Sequence, residues 1–226
     1  MKKINIKEKH LKTVSDNISM YDIQSFGIPK DLETAFGCCP HGIDDAIDFN
    51  RFLECFPCLK MKPGYVLDYI FDLKPWESKI YLYAREKSAL PFLTTKQFLS
   101  KYAEDSIDFL SKMDVSFTPE GMFDLALFCM MIRTVYLWDH GNYNYKTFLY
   151  TPEKTILFRN AEYYQDLLRI YQSPYCVFDN DKYNVSMLTQ SEWGGVYLTT
   201  VSFDKDLKTI NIEEENLIEY DCGILF

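Results

Sequence analysis

The sequence predicts an α+β protein in which helical N-terminal and central parts pack on an antiparallel sheet and the C-terminal part forms a β-meander. Two observations support this prediction. Helical spacing of apolar residues ends before Pro174, and from Tyr175 onward short apolar runs alternate with turn residues. Helices and strands are thus segregated along the chain, which is typical of the α+β class and not of repeated βαβ units. With 47% hydrophobic residues, the 226-residue chain has enough apolar material for a core.

The N-terminal elements are predicted to be a helix followed by a pair of strands. Apolar residues from Ile43 to Leu53 recur at helical spacing, and this helix is expected to end near Pro57. After Pro63-Gly64 the spacing changes, because residues 65–71 and 80–85 are rich in Tyr, Val and Ile. These two segments are predicted to pair as strands.

Capping hydroxyls predict the starts of two central helices. Thr94 or Thr95 is expected to begin a helix that runs to about Met113, unless the stretch Glu104-Asp105-Ser106 breaks it. The second helix starts at Thr118-Pro119-Glu120, which combines a capping hydroxyl, a proline at the first helical position and an acid facing the helix dipole. The segment that follows is nearly apolar all round and is predicted to form the centre of the fold.

The C-terminal half is predicted to consist mainly of strands. Thr151-Pro152-Glu153 lies between two β-prone segments and is interpreted as a hairpin turn, and a helix capped by Asn160 follows it. The predicted meander strands are residues 175–178, 183–188, 196–203 and 209–213. We expect one α+β domain over residues 1–226. The alternative division is a helical N-terminal lobe at 1–62 and an α+β body at 63–226.

The charge of the chain indicates which classes of partner it is expected to bind. The 33 acidic residues outnumber the 24 basic ones, so the formal charge is -9 and the pI is near 4.9. Such a surface repels phosphate backbones and anionic lipids, so neither nucleic acid nor a membrane is expected as a partner. The most apolar run, Met122 to Trp138, is shorter than the ~20 residues of a membrane helix and contains Asp124 and Arg133.

The cysteines and the N-terminal segment favour a cytoplasmic protein. Seven cysteines is an odd number, and they lie mostly on apolar patterns, which favours reduced thiols. The segment from Met1 to Lys12 is basic, but neither an apolar region nor a small-residue cleavage site follows it. Export is therefore not expected.

Four cysteine and histidine residues form the sharpest local pattern. Cys38 and His41 have the spacing of half a zinc knuckle, and Cys55 and Cys58 supply a second pair, which makes a Cys3His set for a structural zinc ion. Against zinc, the intervening segment is a good helix, and Pro57 stands where a knuckle needs a free amide. Free cysteines are also among the most buried residues. Core thiols are the favoured interpretation, and a zinc-stabilised interaction domain is the alternative.

A second alternative is an enzyme with a dispersed active site that uses His140 and Asp139. His140 follows the central helix, where Gly141 is expected to end the helix and a loop to expose the imidazole. A single loop histidine is, however, also typical of an ordinary helix C-terminus. The chain contains no Walker A, G-x-G-x-x-G, G-x-S-x-G or H-E-x-x-H motif. An active site assembled from distant positions would leave no such motif.

Aromatic and acidic residues near the C-terminus are the candidates for a partner-binding patch. Tyr and Trp anchor protein interfaces when they are partly exposed, whereas the alternative is that these rings face the core. The candidate residues are Trp193, Tyr197, Glu213, Glu214, Glu215, Glu219 and Tyr220.

The leading hypothesis is therefore a cytoplasmic binding protein of a bacterial type. We expect an immunity or antitoxin-type inhibitor that covers a basic protein, such as a toxin or nuclease, by electrostatic complementarity and without a cofactor. This hypothesis predicts tight binding that weakens as salt is added.

Overall fold

A computed structural model describes residues 2–20, 48–72, 79–134, 146–155, 161–179, 181–191 and 195–219. Within these ranges it contains five α-helices and ten strands, and it confirms the α+β class. The helices are α1 (Glu8–Met20), α2 (Phe49–Leu53), α3 (Thr95–Leu99), α4 (Pro119–Thr134) and α5 (Ala161–Ile170). The strands are β1 (Lys3–Asn5), β2 (Leu59–Met61), β3 (Tyr65–Asp72), β4 (Lys79–Glu86), β5 (Met113–Val115), β6 (Thr147–Phe148), β7 (Tyr175–Phe178), β8 (Lys182–Ser191), β9 (Gly195–Asp204) and β10 (Ile210–Ile218).

Six strands form the main sheet, and all of its strand pairs are antiparallel. The order is β1-β7-β8-β9-β10, and β6 also pairs with β8. Strands β7 to β10 are neighbours in both sequence and space, which confirms the predicted C-terminal meander. Strand β1 adds the N-terminus to one side of the meander, and β10 is the last described strand on the other side.

Helix α4 is the centre of the core, as predicted. Thr118 Oγ1 accepts a hydrogen bond from the N–H of Gly121 at 3.2 Å, and Pro119 is the first helical residue. Every residue from Met122 to Met131 is buried, which explains why the helix is apolar all round. Among the described residues, no helix has the combination of length and apolar character needed to cross a membrane.

The main core joins α4 to the N-terminal segments and to one face of the sheet. The ring centroids of Phe52, Phe56 and Phe128 lie 5.3 to 5.8 Å apart, so the segment around α2 packs directly on α4. Val185 of β8 and Val201 of β9 belong to the same cluster. Residues before and after position 62 therefore contribute to one core, while the number of independent domains stays a prediction.

The predicted strand pair in residues 65–85 is confirmed as the antiparallel hairpin β3–β4. Its two faces pack on different neighbours because successive side chains point in opposite directions. Leu82 packs in the main core, whereas Tyr81 and Tyr83 form a second cluster with Phe98 of α3. The hairpin is thus covered on both faces.

The helix predicted from Thr94 to about Met113 does not continue that far, and the break that was expected at Glu104-Asp105-Ser106 comes earlier, after Leu99. Thr94 does cap a helix, since its side chain accepts a hydrogen bond from the N–H of Gln97 at 3.2 Å, but α3 ends at Leu99. A short 3₁₀ helix follows at Asp108–Lys112, and the next residues form β5, which pairs with β2. A strand partner distant in sequence overrides the local helical pattern here.

Two other predictions reach beyond the described residues. Residues 43–47, which the predicted N-terminal helix includes, lie outside them, and α2 is described from Phe49. The second strand of the hairpin predicted around Thr151 falls mostly at 156–158, which also lie outside. Strand β6 pairs with β8, and Pro152–Lys154 form a 3₁₀ turn.

Candidate functional site

The predicted acidic patch lies on β10. Glu213, Glu214 and Glu215 are consecutive in this strand, Glu219 follows its end, and all four are exposed. We call these four residues the acidic edge. Among the described residues β10 pairs only with β9, so its other side is a sheet edge. Trp193 and Tyr220, which were predicted to join this patch, lie outside the described residues.

The strand register distributes the acidic edge over both faces of the sheet. Glu214 is opposite Thr199, a fully buried residue on the face that packs against α4. Glu213 is opposite Thr200 on the other face, and Glu215 shares that face because side chains alternate. Glu213 and Glu215 therefore extend from one side of the strand, and Glu214 extends from the other.

Glu214 has an ion-pair partner inside the fold. Nζ of Lys146 pairs with a carboxylate oxygen of Glu214 and also lies 3.9 Å from the centroid of the Tyr197 ring. Only 8% of Lys146 is exposed. Burial, followed by the charges of Glu214 and Glu219, raises the pKa of the half-buried Tyr197. Glu214 and Tyr197 thus contact the buried ammonium group of Lys146. The other exposed acids of the acidic edge are Glu213, Glu215 and Glu219.

This arrangement predicts different effects for two adjacent glutamates. Glu214→Gln removes the charge that compensates buried Lys146, so we expect the free energy of unfolding to fall by about 1–2 kcal/mol. Glu215→Gln changes an exposed carboxylate on the opposite face and should alter stability by less than about 0.5 kcal/mol. Urea unfolding of the two variants measures both values. Equal stability of the two variants would contradict the ion pair.

A second site brings together three residues that are distant in sequence: His10, Cys58 and Asp124. Nε2 of His10 donates a hydrogen bond to Oδ1 of Asp124 at 2.6 Å, and the backbone N–H of Cys58 donates to Oδ2 at 2.9 Å. One side-chain donor atom from each residue lies within 4.8 Å of the other two. We call these three residues the His-Cys-Asp cluster.

Three separate elements position the His-Cys-Asp cluster. His10 lies in the first turns of α1, Cys58 directly precedes β2, and Asp124 lies in α4. Asp124 is 0% exposed, and a buried carboxylate is tolerated only when it is compensated by charge or hydrogen bonds. Both of its oxygens have a partner here. The cluster therefore ties α1 and the start of β2 to the central helix.

The neighbouring ion pair extends this polar region along α4. Glu120 precedes Asp124 by four residues, so the two carboxylates lie on the same side of the helix. Nζ of Lys7 lies 3.1 Å from Oε1 of Glu120. Burial by itself would raise the pKa of Glu120. A hydrogen bond from its own backbone and the charges of Lys7 and His10 outweigh burial and lower this pKa. Glu120 is therefore a carboxylate at neutral pH.

The cluster is not arranged for nucleophilic catalysis. Burial, followed by the charge of Asp124 and a hydrogen bond to it, raises the pKa of Cys58 to about 11. The thiol is therefore protonated at neutral pH, whereas a nucleophilic cysteine needs a base that favours the thiolate. What the cluster does offer is a sulfur, a nitrogen and an oxygen donor in one place.

Cys55 and Cys58 have different neighbours in the structure. The Cys55 thiol donates a weak hydrogen bond to the backbone carbonyl of Asn17 at 3.7 Å, and burial raises its pKa to about 11. Cys58 instead faces His10 and Asp124. Cys38 and His41 lie outside the described residues, and the same holds for Asp139 and His140. The Cys3His zinc site and the His140 active site thus stay predictions.

Sequence reasoning missed the pairing of His10 with Asp124. These two residues are 114 positions apart, so no local motif connects them. The available signal was Asp124 itself, because it is the one charged residue in the apolar stretch from Met122 to Met131. A lone carboxylate in a helix that must be buried on all sides requires a partner.

Comparisons with known proteins add no further assignment. No protein family, curated protein or solved structure matches this chain. The function is therefore argued from the two sites described above.

Proposed function

We propose that this chain is a protein-binding module that covers a basic surface of a partner protein, in the manner of an immunity or antitoxin-type inhibitor of a toxin or nuclease. The observation that carries the proposal is the acidic edge: Glu213 and Glu215 are exposed on one face of β10, the last described strand of the sheet, and exposed Glu219 follows it. Together with a net charge of -9, they provide a negative surface that is complementary to a cationic one.

The geometry supports a pre-formed binding surface. Eight of the nine residues of β10 pair with β9, and the ion pair of Lys146 with Glu214 anchors the middle of the strand to the fold. A rigid surface loses little conformational entropy when a partner binds. The outward carboxylates can therefore meet lysine and arginine side chains without a rearrangement of the strand.

The same features also fit a purely protective role. Charged residues on an edge strand discourage pairing with other chains, which is a common way to prevent aggregation. Neutralising the carboxylates of the acidic edge has a different effect under each role. A protective role predicts self-association of the neutralised protein, whereas a binding role predicts a loss of affinity for a basic partner.

The test starts from affinity purification of the full chain from its native cells, followed by identification of the bound protein. We expect a basic partner whose affinity falls as salt is raised, because exposed charge pairs are screened within a Debye length. Replacing Glu213, Glu215 and Glu219 by Gln should weaken binding by at least about tenfold, mainly through slower association.

A matched control removes the same amount of charge elsewhere. Glu54, Glu86 and Asp105 are exposed and lie outside the acidic edge, and their neutral variants (Glu→Gln and Asp→Asn) should bind nearly as the wild type does. Recovery of no basic partner would count against the proposal. Equal weakening by both triple variants would show that only net charge, and not this strand, matters.

A further inference from the structure

The His-Cys-Asp cluster suggests a second property of this protein, independent of the acidic edge. Its three residues offer the thiol of Cys58, the imidazole of His10 and the carboxylate of Asp124, with donor atoms mutually within 4.8 Å. We infer that these residues form a zinc site with three protein ligands, which fastens α1 and the start of β2 to α4.

The donor atoms, all within 4.8 Å of one another, can surround a tetrahedral zinc ion after movements of about 1 Å. Zinc binds sulfur at about 2.3 Å and nitrogen or oxygen at about 2.0–2.2 Å, so its ligand atoms lie about 3.4–3.6 Å from each other. The separation of His10 Nε2 from Asp124 Oδ1 is 2.6 Å and must widen by about 1 Å. Side-chain rotation of His10 supplies this movement, because its side chain lies at the boundary with solvent, 14% exposed.

The donor set selects the class of metal. Thiolate and imidazole are ligands of zinc and other transition metals, whereas calcium and magnesium prefer sites made only of oxygen. On binding, the ion replaces the proton of the Cys58 thiol, which goes to solvent, and it binds Nε2 of His10 as the imidazole shifts to its Nδ1–H tautomer. Zinc is not redox-active, so the step needs no electron donor or acceptor.

The surroundings of the cluster support a metal site. The backbone N–H of Cys58 already bonds Oδ2 of Asp124 at 2.9 Å, which holds the carboxylate in place and leaves Oδ1 for the ion. Nearby Glu120 adds negative charge, which favours a cation. The partly exposed side of His10 gives an ion a path from solvent and leaves the fourth position to a water molecule.

This zinc site differs from the Cys3His site predicted from the sequence. The two share Cys58, but the site inferred here uses His10 and Asp124 and does not use Cys55. Cys55 is directed at the carbonyl of Asn17. Variants of His10 and Cys55 therefore distinguish the two sites, and Cys58 is required by both.

The experiment uses the full chain, reduced and freed of metal with a chelator, and Co²⁺ as a spectroscopic probe. We expect a thiolate-to-cobalt absorption band, visible bands of tetrahedral cobalt, and displacement of one equivalent of cobalt by zinc. Cys58→Ser should abolish the thiolate band. His10→Gln should weaken zinc binding by more than about 100-fold. Loss of a residue that only hydrogen-bonds to a ligand typically costs about 10- to 100-fold, so a larger loss identifies His10 as a ligand.

Cys55→Ser is the matched control, since it changes a neighbouring thiol and keeps a donor for the Asn17 carbonyl. The Cys55→Ser variant should have the same cobalt spectrum and the same affinity for zinc as the wild type. Circular dichroism shows that each variant is folded, and His10→Asn replaces His10→Gln if the latter is not. The inference is overturned if wild-type protein gives no thiolate band, or if the band survives loss of His10 and disappears with Cys55→Ser.

Discussion

Gly121→Ala is expected to destabilise the protein by about 3 kcal/mol or more, although alanine normally favours a helix. A Cβ atom at this position would lie 1.9 Å from the backbone oxygen of Ser116 and 2.8 Å from its carbonyl carbon. These are backbone atoms, so the start of α4 would have to move away from the segment before it. Thermal and urea unfolding measure the loss.

Gly64→Ala provides the comparison for this glycine. Gly64 has a φ of 89°, but no atom lies within 4 Å of the position of a Cβ. Its substitution costs only the strain of a left-handed backbone, about 1–2 kcal/mol. Gly121→Ala should therefore be the less stable variant. The reverse order would show that α4 does not approach Ser116 as closely as the structure has it.

Asp124→Ala is expected to reduce the free energy of unfolding by about 3–5 kcal/mol. The change removes the acceptor of both His10 and the backbone N–H of Cys58 inside the protein. A buried donor without an acceptor is costly because it has lost its hydrogen bonds to water. Urea unfolding in the presence of a chelator measures this effect without a contribution from metal.

Asp124→Asn separates the structural role of this residue from metal binding. The asparagine oxygen can accept a hydrogen bond from the N–H of Cys58, and its amide can donate one to Nε2 of His10, so the loss of stability should be only about 1–2 kcal/mol. Zinc affinity should nevertheless fall, since an amide is a weaker ligand than a carboxylate. Asp114→Ala, at a half-exposed position whose carboxylate lies 3.9 Å from Nζ of Lys60, should change stability by less than about 0.5 kcal/mol. Equal losses for Asp124→Ala and Asp114→Ala would contradict the buried hydrogen bonds.

The two sites are independent in their tests. The acidic edge lies on β10 and the His-Cys-Asp cluster joins α1, α4 and the residue before β2. Neutralising the acidic edge should leave cobalt binding unchanged, and His10→Gln should leave the outward carboxylates in place. A failure of one proposal thus does not decide the other.

The strands show how far local pattern predicts the fold. The hairpin was predicted at 65–71 and 80–85 and is observed at Tyr65–Asp72 and Lys79–Glu86. Alternation of side chains in a strand has a period of two, which any short stretch of sequence displays. The same pattern predicted the meander of β7 to β10, because each strand pairs with its neighbour along the chain.

The segment from Thr95 to Val115 shows where local pattern fails. Its apolar residues fit a helix, yet Met113–Val115 pair with Leu59–Met61 as β5 and β2. The competing interaction comes from a strand more than 50 residues away in the chain. Local propensities are small compared with such tertiary contacts, so they do not decide the outcome.

The sequence by itself determined the net negative charge, the apolar central helix and the run of glutamates at 213–215, since each depends only on which residues are neighbours along the chain. Tertiary structure alone decided that Glu214 faces Lys146 and that Cys58 meets His10 and Asp124. The physical reason is that a buried charge or donor is stabilised by whichever partner lies within hydrogen-bonding distance, and folding brings that partner from any distance in the sequence.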